Sequence, residues 1–158
     1  VYEDSLRTAC IRGKSRGAET LAGALASLLW KKQQEELADF APDVIVPVPQ
    51  FWLHGFTRPH HQALTMAEVL GERLSCVCDN RAVRKTRRTI DQSSLPRAKR
   101  LTNLKHAYAA CSKHKLTGKR VLIVDDILTT GTTSNELAKV IRKAGASDVA
   151  VAVIAVVP

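Results

Sequence analysis

The sequence predicts an α/β fold, a mainly parallel twisted sheet flanked by helices, on three observations. Short all-apolar runs recur at 44–48, 121–124 and 149–157. They lack the polar alternation of a strand with one wet face, so they read as strands covered on both sides. Amphipathic stretches at 16–39, 62–74 and 135–144 alternate with those runs, the order expected of a parallel sheet with crossover helices. With 158 residues, 45% of them hydrophobic, the chain suffices for one core, so residues 1–158 read as a single domain.

Taken in order, Arg16 to Asp39 reads as a helix with Leu21, Leu25, Leu28 and Leu29 on one face, ended by Pro42. Val44 to Val48 is a buried strand leaving into the stiff loop Pro47-Val48-Pro49. Gln62 to Leu74 carries Ala63, Ala67, Leu70 and Leu74 at helical spacing. A weak strand near 76–83 leads into a segment without periodic apolar residues from Lys85 to Pro96, a long loop of the kind that serves as a lid or binding loop. Val121 to Val124 is a four-residue strand. Asn135 to Ala144 is a helix with Leu137, Val140, Ile141 and Ala144 inward and Gly145 as its stop. Val149 to Val157 is the last buried strand.

The longest apolar run has nine residues, far short of the roughly 20 a spanning helix needs, so no membrane span is expected. The composition excludes collagen-like, coiled-coil and disordered classes. Cys10, Cys76, Cys78 and Cys111 contain no C-x-x-C pair, and His54, His60, His61, His106 and His114 lack metal-ligand spacing, which argues against a zinc site or a disulfide frame. Trp30 reads as packing, whereas Trp52, beside Phe51 after the proline turn, is placed to wall a pocket.

The formal charge of +9 is concentrated. Between Arg81 and Lys105 nine basic residues face one acid, Asp91, so this stretch alone carries +8. Such a concentration points to a polyanionic partner: phosphate, pyrophosphate or nucleic acid. The stretch holds no Phe, Tyr or Trp, so it supplies no platform for stacking bases; Tyr108 is the nearest.

The chemistry concentrates in Val121-Leu122-Ile123-Val124-Asp125-Asp126-Ile127-Leu128-Thr129-Thr130-Gly131-Thr132-Thr133. A buried strand delivers two carboxylates to its carboxyl end, the place where open α/β sheets bind ligands. The Thr/Gly turn then offers successive N–H groups and hydroxyls at a helix N-terminus, which suits a phosphate dianion. The two acids suit ribose hydroxyls or a Mg²⁺ shell. Singly, the acids read as a solvated pair and the threonines as helix caps; their coincidence at one strand end favours a site.

This string resembles the type I phosphoribosyltransferase signature for phosphoribosyl pyrophosphate (PRPP). Val46-Pro47-Val48-Pro49, Gln62-Ala63, the stretch from Gln92 through Arg97, Arg100 and Leu101 to Asn103, and Ala107-Tyr108 resemble the ComF family of competence-associated phosphoribosyltransferase-like proteins. In that family a four-cysteine zinc module usually precedes this domain. Its absence here, with a start at Val1, leads to the expectation of a fragment.

The resemblance implies a type I phosphoribosyltransferase fold with a long basic flexible loop at about 84–104 and the PRPP motif at 121–133. Thr129, Thr130, Gly131, Thr132 and Thr133 would hold the 5′-phosphate. Asp125 and Asp126 would bind the ribose hydroxyls and, directly or through water, Mg²⁺. Pro47, Val48 and Pro49 would flank pyrophosphate. Arg84 and Arg88 would act on the reacting centre, with Arg87, Arg97, Lys99 and Arg100 lining a loop for pyrophosphate or nucleic acid. Implied partners are PRPP or another phosphoribosylated ligand, single-stranded DNA, a second copy of the chain and a competence helicase, in the cytoplasm.

The residue three after Asp126 is Thr129, where relatives acting on 6-oxopurines carry an acid; a hydroxyl cannot serve as base near neutral pH, so purine salvage is disfavoured. Where relatives read Arg-Gly-Phe-Asn-Gln-Ala, this chain reads Arg58-Pro59-His60-His61-Gln62-Ala63, and Pro59 removes a backbone donor. The expected function is Mg²⁺-dependent PRPP binding with phosphoribosyl transfer to an acceptor. Handling of single-stranded DNA and non-catalytic PRPP sensing are the alternatives.

Overall fold

A computed structural model describes residues 19–50, 61–90, 96, 99, 103–112 and 114–156. Its elements are α1 (Glu19–Phe40), β1 (Val44–Pro47), α2 (Gln62–Leu74), β2 (Val77–Cys78), β3 (Val83–Lys85), β4 (Tyr108–Ala110), β5 (Arg120–Leu128), α3 (Thr132–Lys143) and β6 (Asp148–Val156). The expectations for Phe51, Trp52, His54, Pro59, His60, Arg97 and Arg100 lie outside the described residues, as does Cys10.

Four strands form a parallel sheet in the order β2-β1-β5-β6, and β3 and β4 form a separate antiparallel pair. Alternate residues of the central strands point to opposite faces and define two cores. Val44, Val46, Val121 and Ile123 pack with Leu137 and Ile141 of α3 and with Val83 and Tyr108 of the small pair. Ile45, Leu122 and Val124 pack with Ala26 and Leu29 of α1 and Met66, Ala67 and Leu70 of α2. Helices thus cover both faces of the sheet, as the unbroken apolar runs require.

Helix α2 matches its expected bounds. In α1 the buried face is Ala22, Leu25, Ala26, Leu29 and Leu37 rather than the leucine set alone, because small alanines let the helix approach its neighbours, and the helix breaks at Gln33 (φ −128°, ψ 20°). Trp30 packs against this core half-buried. Three expectations change. The weak strand at 76–83 is two strands in different sheets, separated by a turn at 80–81. Helix α3 starts at Thr132, three residues early, and buries Leu137, Ala138 and Ile141, with Val140 and Ala144 only partly covered. The last strand is not buried along its length: β6 is an edge strand in which Ala152 alone is buried, while Val151 is 40% and Val156 64% exposed. An edge strand with helices on one part of its surface keeps water on the rest.

Candidate functional site

From β1 the chain winds one way to β2, and β5 and β6 lie on the other side, so the β1–β5 boundary is a topological switch point. Ligands of open α/β sheets bind beyond the carboxyl ends of strands at such a point. Here the crevice is cut by unequal strand lengths. The β1–β5 ladder ends at Pro47 opposite Val124, and the Val48 N–H donates to Val124 O at 2.9 Å as the last tie. Among the described strands β5 continues to Leu128 against β6 alone. The strand expected over 121–124 therefore runs on to Leu128, and Asp125 and Asp126 lie in its second half, beyond the end of the β1 ladder; the neighbour β6 supplies ladder partners that outweigh the poor strand propensity of aspartate.

Both carboxylates are half-buried. Asp125 Oδ1 accepts the Asp126 N–H at 2.9 Å, and Asp126 Oδ1 accepts the Ile127 N–H at 2.8 Å, which fixes each group where the β1 ladder has ended. By strand alternation Asp125 follows Ile123 toward α3 and the β3–β4 pair, and Asp126 follows Val124 toward α2. The Tyr108 hydroxyl lies near the first of these. Burial, then the charges of Asp125 and Glu136, push its pKa up, so it stays a neutral donor.

The turn after β5 is the phosphate-loop candidate. Gly131 occupies the N-cap of α3 with φ 68° and ψ 3°, a left-handed conformation that costs other residues about 1–2 kcal/mol. Among the described residues no side chain caps this terminus, and the first helical bond runs from Asn135 N–H to Gly131 O at 2.8 Å. The N–H groups of the first turn, 132–134, thus find no partner within the helix and carry the positive end of its dipole. Thr130 and Thr132 share a hydroxyl hydrogen bond of 2.8 Å, which holds the turn's shape; Thr132 is buried and Thr133 half-buried. Thr129 is exposed at the strand's exit.

On the other wall, Val48 and Pro49 are half-buried after buried Pro47, and His61 Nε2 is 2.9 Å from Val48 O, tying the start of α2 to this loop. Sequence reasoning gave no role to two further groups. Gln62 is 3% exposed, yet among the described residues neither Oε1 nor Nε2 has a hydrogen-bond partner, and buried Ser134 Oγ is likewise orphaned. Both lie in the first turns of helices that begin at the carboxyl edge of the sheet. Gln62 sits one turn above Met66, which packs with Val124, so its amide stands beside the crevice on the same face as Asp126. A polar residue inside a helical pattern reads as solvent-facing; only the topology reveals its burial.

The basic segment is only partly described. Arg84 is exposed on β3, Arg88 is exposed beyond it, and Lys99 is exposed. Arg87 is engaged: its Nη2 donates to the carbonyls of Asn103 and Lys105, each at 2.9 Å. Asn103 also pairs with both main-chain groups of Ile90, at 3.2 and 2.9 Å. These bonds clamp the two stems of the 84–104 loop together at its base, so Arg87 acts as a staple there.

Among the described residues no group of three His, Cys, Asp or Glu side chains is placed to hold a metal ion. Cys76, Cys78 and Cys111 are free, and burial pushes the Cys78 thiol up to about 11. Among the described residues no helix is long and apolar enough to cross a membrane.

Comparison with known proteins agrees with this geometry. Residues 59–158 match the family profile of the phosphoribosyl transferase domain. The chain is 35% identical over 111 residues to competence protein F of Haemophilus influenzae, covering 70% of this chain and 48% of that protein. It is 36% identical over 110 residues to the DNA utilization protein YhgH of Escherichia coli K12, again 70% and 48%. The chain therefore spans about half the length of these curated relatives. Among solved structures it is similar to a purine phosphoribosyltransferase from Pyrococcus horikoshii (TM-score 0.53, 20% identity, 84% of this chain and 73% of that one). It is also similar to the glutamine PRPP amidotransferase of B. subtilis (TM-score 0.58, 23% identity, 87% and 26%). With its helix-flanked parallel sheet of type I phosphoribosyltransferase fold, the chain belongs to the phosphoribosyl transferase domain family, and within it is similar to competence protein F and the DNA utilization proteins.

Proposed function

We propose that this domain binds PRPP with Mg²⁺ in the crevice between β1 and β5 and transfers its phosphoribosyl group to an acceptor. The observation that carries this reading is the junction of β5 and α3: two anchored carboxylates, then Gly131 in a left-handed turn, then an uncapped helix N-terminus. The first-turn amides and the threonine hydroxyls would hold the 5′-phosphate. Asp125 and Asp126 would accept hydrogen bonds from the ribose 2′ and 3′ hydroxyls, and the Pro47-Val48-Pro49 loop would flank the pyrophosphate.

Mg²⁺ fits this donor set. Among the described residues no third protein ligand joins these carboxylates, as befits a hard cation that keeps substrate phosphates and water in its shell, and Asp125 or Asp126, on opposite faces of β5, would hold it singly or through water. Bound there it would neutralise charge on the pyrophosphate oxygens. In the transfer the C1′–O bond to pyrophosphate breaks with both electrons leaving on oxygen, the ribose passes through an oxocarbenium-like state, and a lone pair of the acceptor forms the new C1′ bond. Arg84, Arg88 and Lys99, joined by Arg97 and Arg100, would stabilise the departing charge, most strongly where loop closure excludes water.

Calorimetric titration of PRPP with and without Mg²⁺ tests the reading. Metal-dependent binding that disappears in Asp125→Asn/Asp126→Asn, and in Gly131→Val, is expected. Undiminished binding by these folded variants would refute the site. Pyrophosphate release with an acceptor then separates transfer from mere sensing of PRPP.

The names of the relatives and the +8 segment favour a second reading, in which the same surface handles single-stranded DNA. It requires affinity that falls steeply with salt, as released counterions dictate; a flat salt profile removes it.

A further inference from the structure

A second groove lies outside the crevice, between the free edge of β4 and one face of α3. Its volume is about 810 Å³, and its walls include Lys105 and Tyr108–Ala110 on one side and Glu136, Lys139, Val140 and Lys143 on the other. The α3 residues fall at i, i+3, i+4 and i+7, a single stripe along the helix.

Among the described residues the main chain of β4 is open on this side. Cys111 N–H donates to Ala82 O and Thr86 N–H to Ala107 O, both at 2.8 Å. Antiparallel hydrogen-bonded pairs alternate, so Arg84 and Ala109, which face each other in the register, form the pair between them. The N–H and C=O groups of Tyr108 and Ala110 consequently point away from β3, into the groove. Among the described residues β4 pairs with β3 alone. The exposed edge of a short strand offers donors and acceptors at the spacing of a further strand.

The walls define what that strand would carry. Three lysines face one carboxylate, and the carboxylate, Glu136, is already paired with Lys139 at 2.7 Å. Lys105 and Lys143 have no ion-pair partner among the described residues. Val140 and Ala144 supply an apolar floor between the cations. We infer that this groove takes an extended acidic segment of a partner protein, which adds a strand to β4 and sets carboxylates against Lys105, Lys139 and Lys143 and small apolar residues over α3. A second copy of this chain fits poorly, because it would bring the same lysines face to face. A nucleic-acid strand fits less well than a peptide, since Tyr108 is 7% exposed and offers no ring face for a base.

The probe is a fluorescent eight-residue peptide of alternating Glu and Val, titrated by anisotropy into the 158-residue chain, beside a Lys/Val peptide and an oligothymidylate. Salt-sensitive binding of the Glu/Val peptide alone is expected. Lys139→Glu/Lys143→Glu should weaken it at least about tenfold, with an unchanged thermal midpoint as the check on folding. N-methylation of alternate peptide amides, which leaves the protein untouched, should abolish it by removing the ladder donors. No binding of the Glu/Val peptide, binding indifferent to N-methylation or charge reversal, or a groove variant that loses oligothymidylate instead would overturn the inference.

Discussion

Replacing Gln62 by methionine should make the ligand-free domain more stable and a poorer binder at once. The side chain is 3% exposed and both of its polar atoms lack partners among the described residues, so the folded state carries the desolvation of a donor and an acceptor with no compensating bond. Leaving such a group unsatisfied costs about 1–3 kcal/mol. Methionine has a similar volume and no polar atom, and volume-conserving swaps perturb a core little. The expected net gain is about 1–2 kcal/mol, and at about 2–4 °C per kcal/mol for a domain of this size the midpoint should rise by about 2–8 °C. In the same variant PRPP affinity should fall about tenfold, the worth of one hydrogen bond to a charged ligand. Urea unfolding without ligand and calorimetry with PRPP and Mg²⁺ give the two numbers. A ligand-free variant less stable than the parent would refute the reasoning, because it would mean the amide is bonded within the fold.

Two further outcomes concern the scaffold. Gly71→Ala should lower the thermal midpoint by several degrees, since its Cβ would meet the Cys76 carbonyl oxygen at 2.8 Å, where main chain and not a flexible side-chain tip must give way; an unchanged melting curve would contradict this. Burial, then the charges of Glu68 and Asp79, hold the Cys78 thiol at about 11 against an ordinary 9.0. A raised folded pKa gives stability that is complete below pH 9 and is lost as pH rises toward 11, because the unfolded chain ionises first. Urea unfolding of the parent and Cys78→Ala at pH 7, 9 and 10.5 should show their difference shrinking at high pH, and a constant difference would contradict the assignment.

Much of this was legible because local and tertiary preferences agree. Ala63, Ala67, Leu70 and Leu74 mark α2 to the residue, and the Thr/Gly turn at 129–133 marks the phosphate-loop candidate. Where one preference overrides another, the sequence misleads. Asp125 and Asp126 look like a strand's end but continue it, since β6 offers ladder partners as far as Leu128 opposite Val156. The nine apolar residues of 149–157 look fully buried, but strand order decides which strand lies at an edge, and no residue encodes that order alone. β4 is three residues long after a turn with His106 at φ 57°, too short for any period to register. The orphaned Gln62 and Ser134 carry no signal in their spacing.

The early end of the β1 ladder also divides β5 into a hard half and a soft half. Residues 121–124 are buried and paired with strands on both sides, whereas 125–128 are half-buried and, among the described strands, pair with β6 and not with β1. Amide hydrogens on the first half should exchange only with global unfolding, and those on the second through small local openings. The crevice can thus yield to an incoming ligand while the core beneath it stays closed, and protection gained on binding should stop abruptly at Val124.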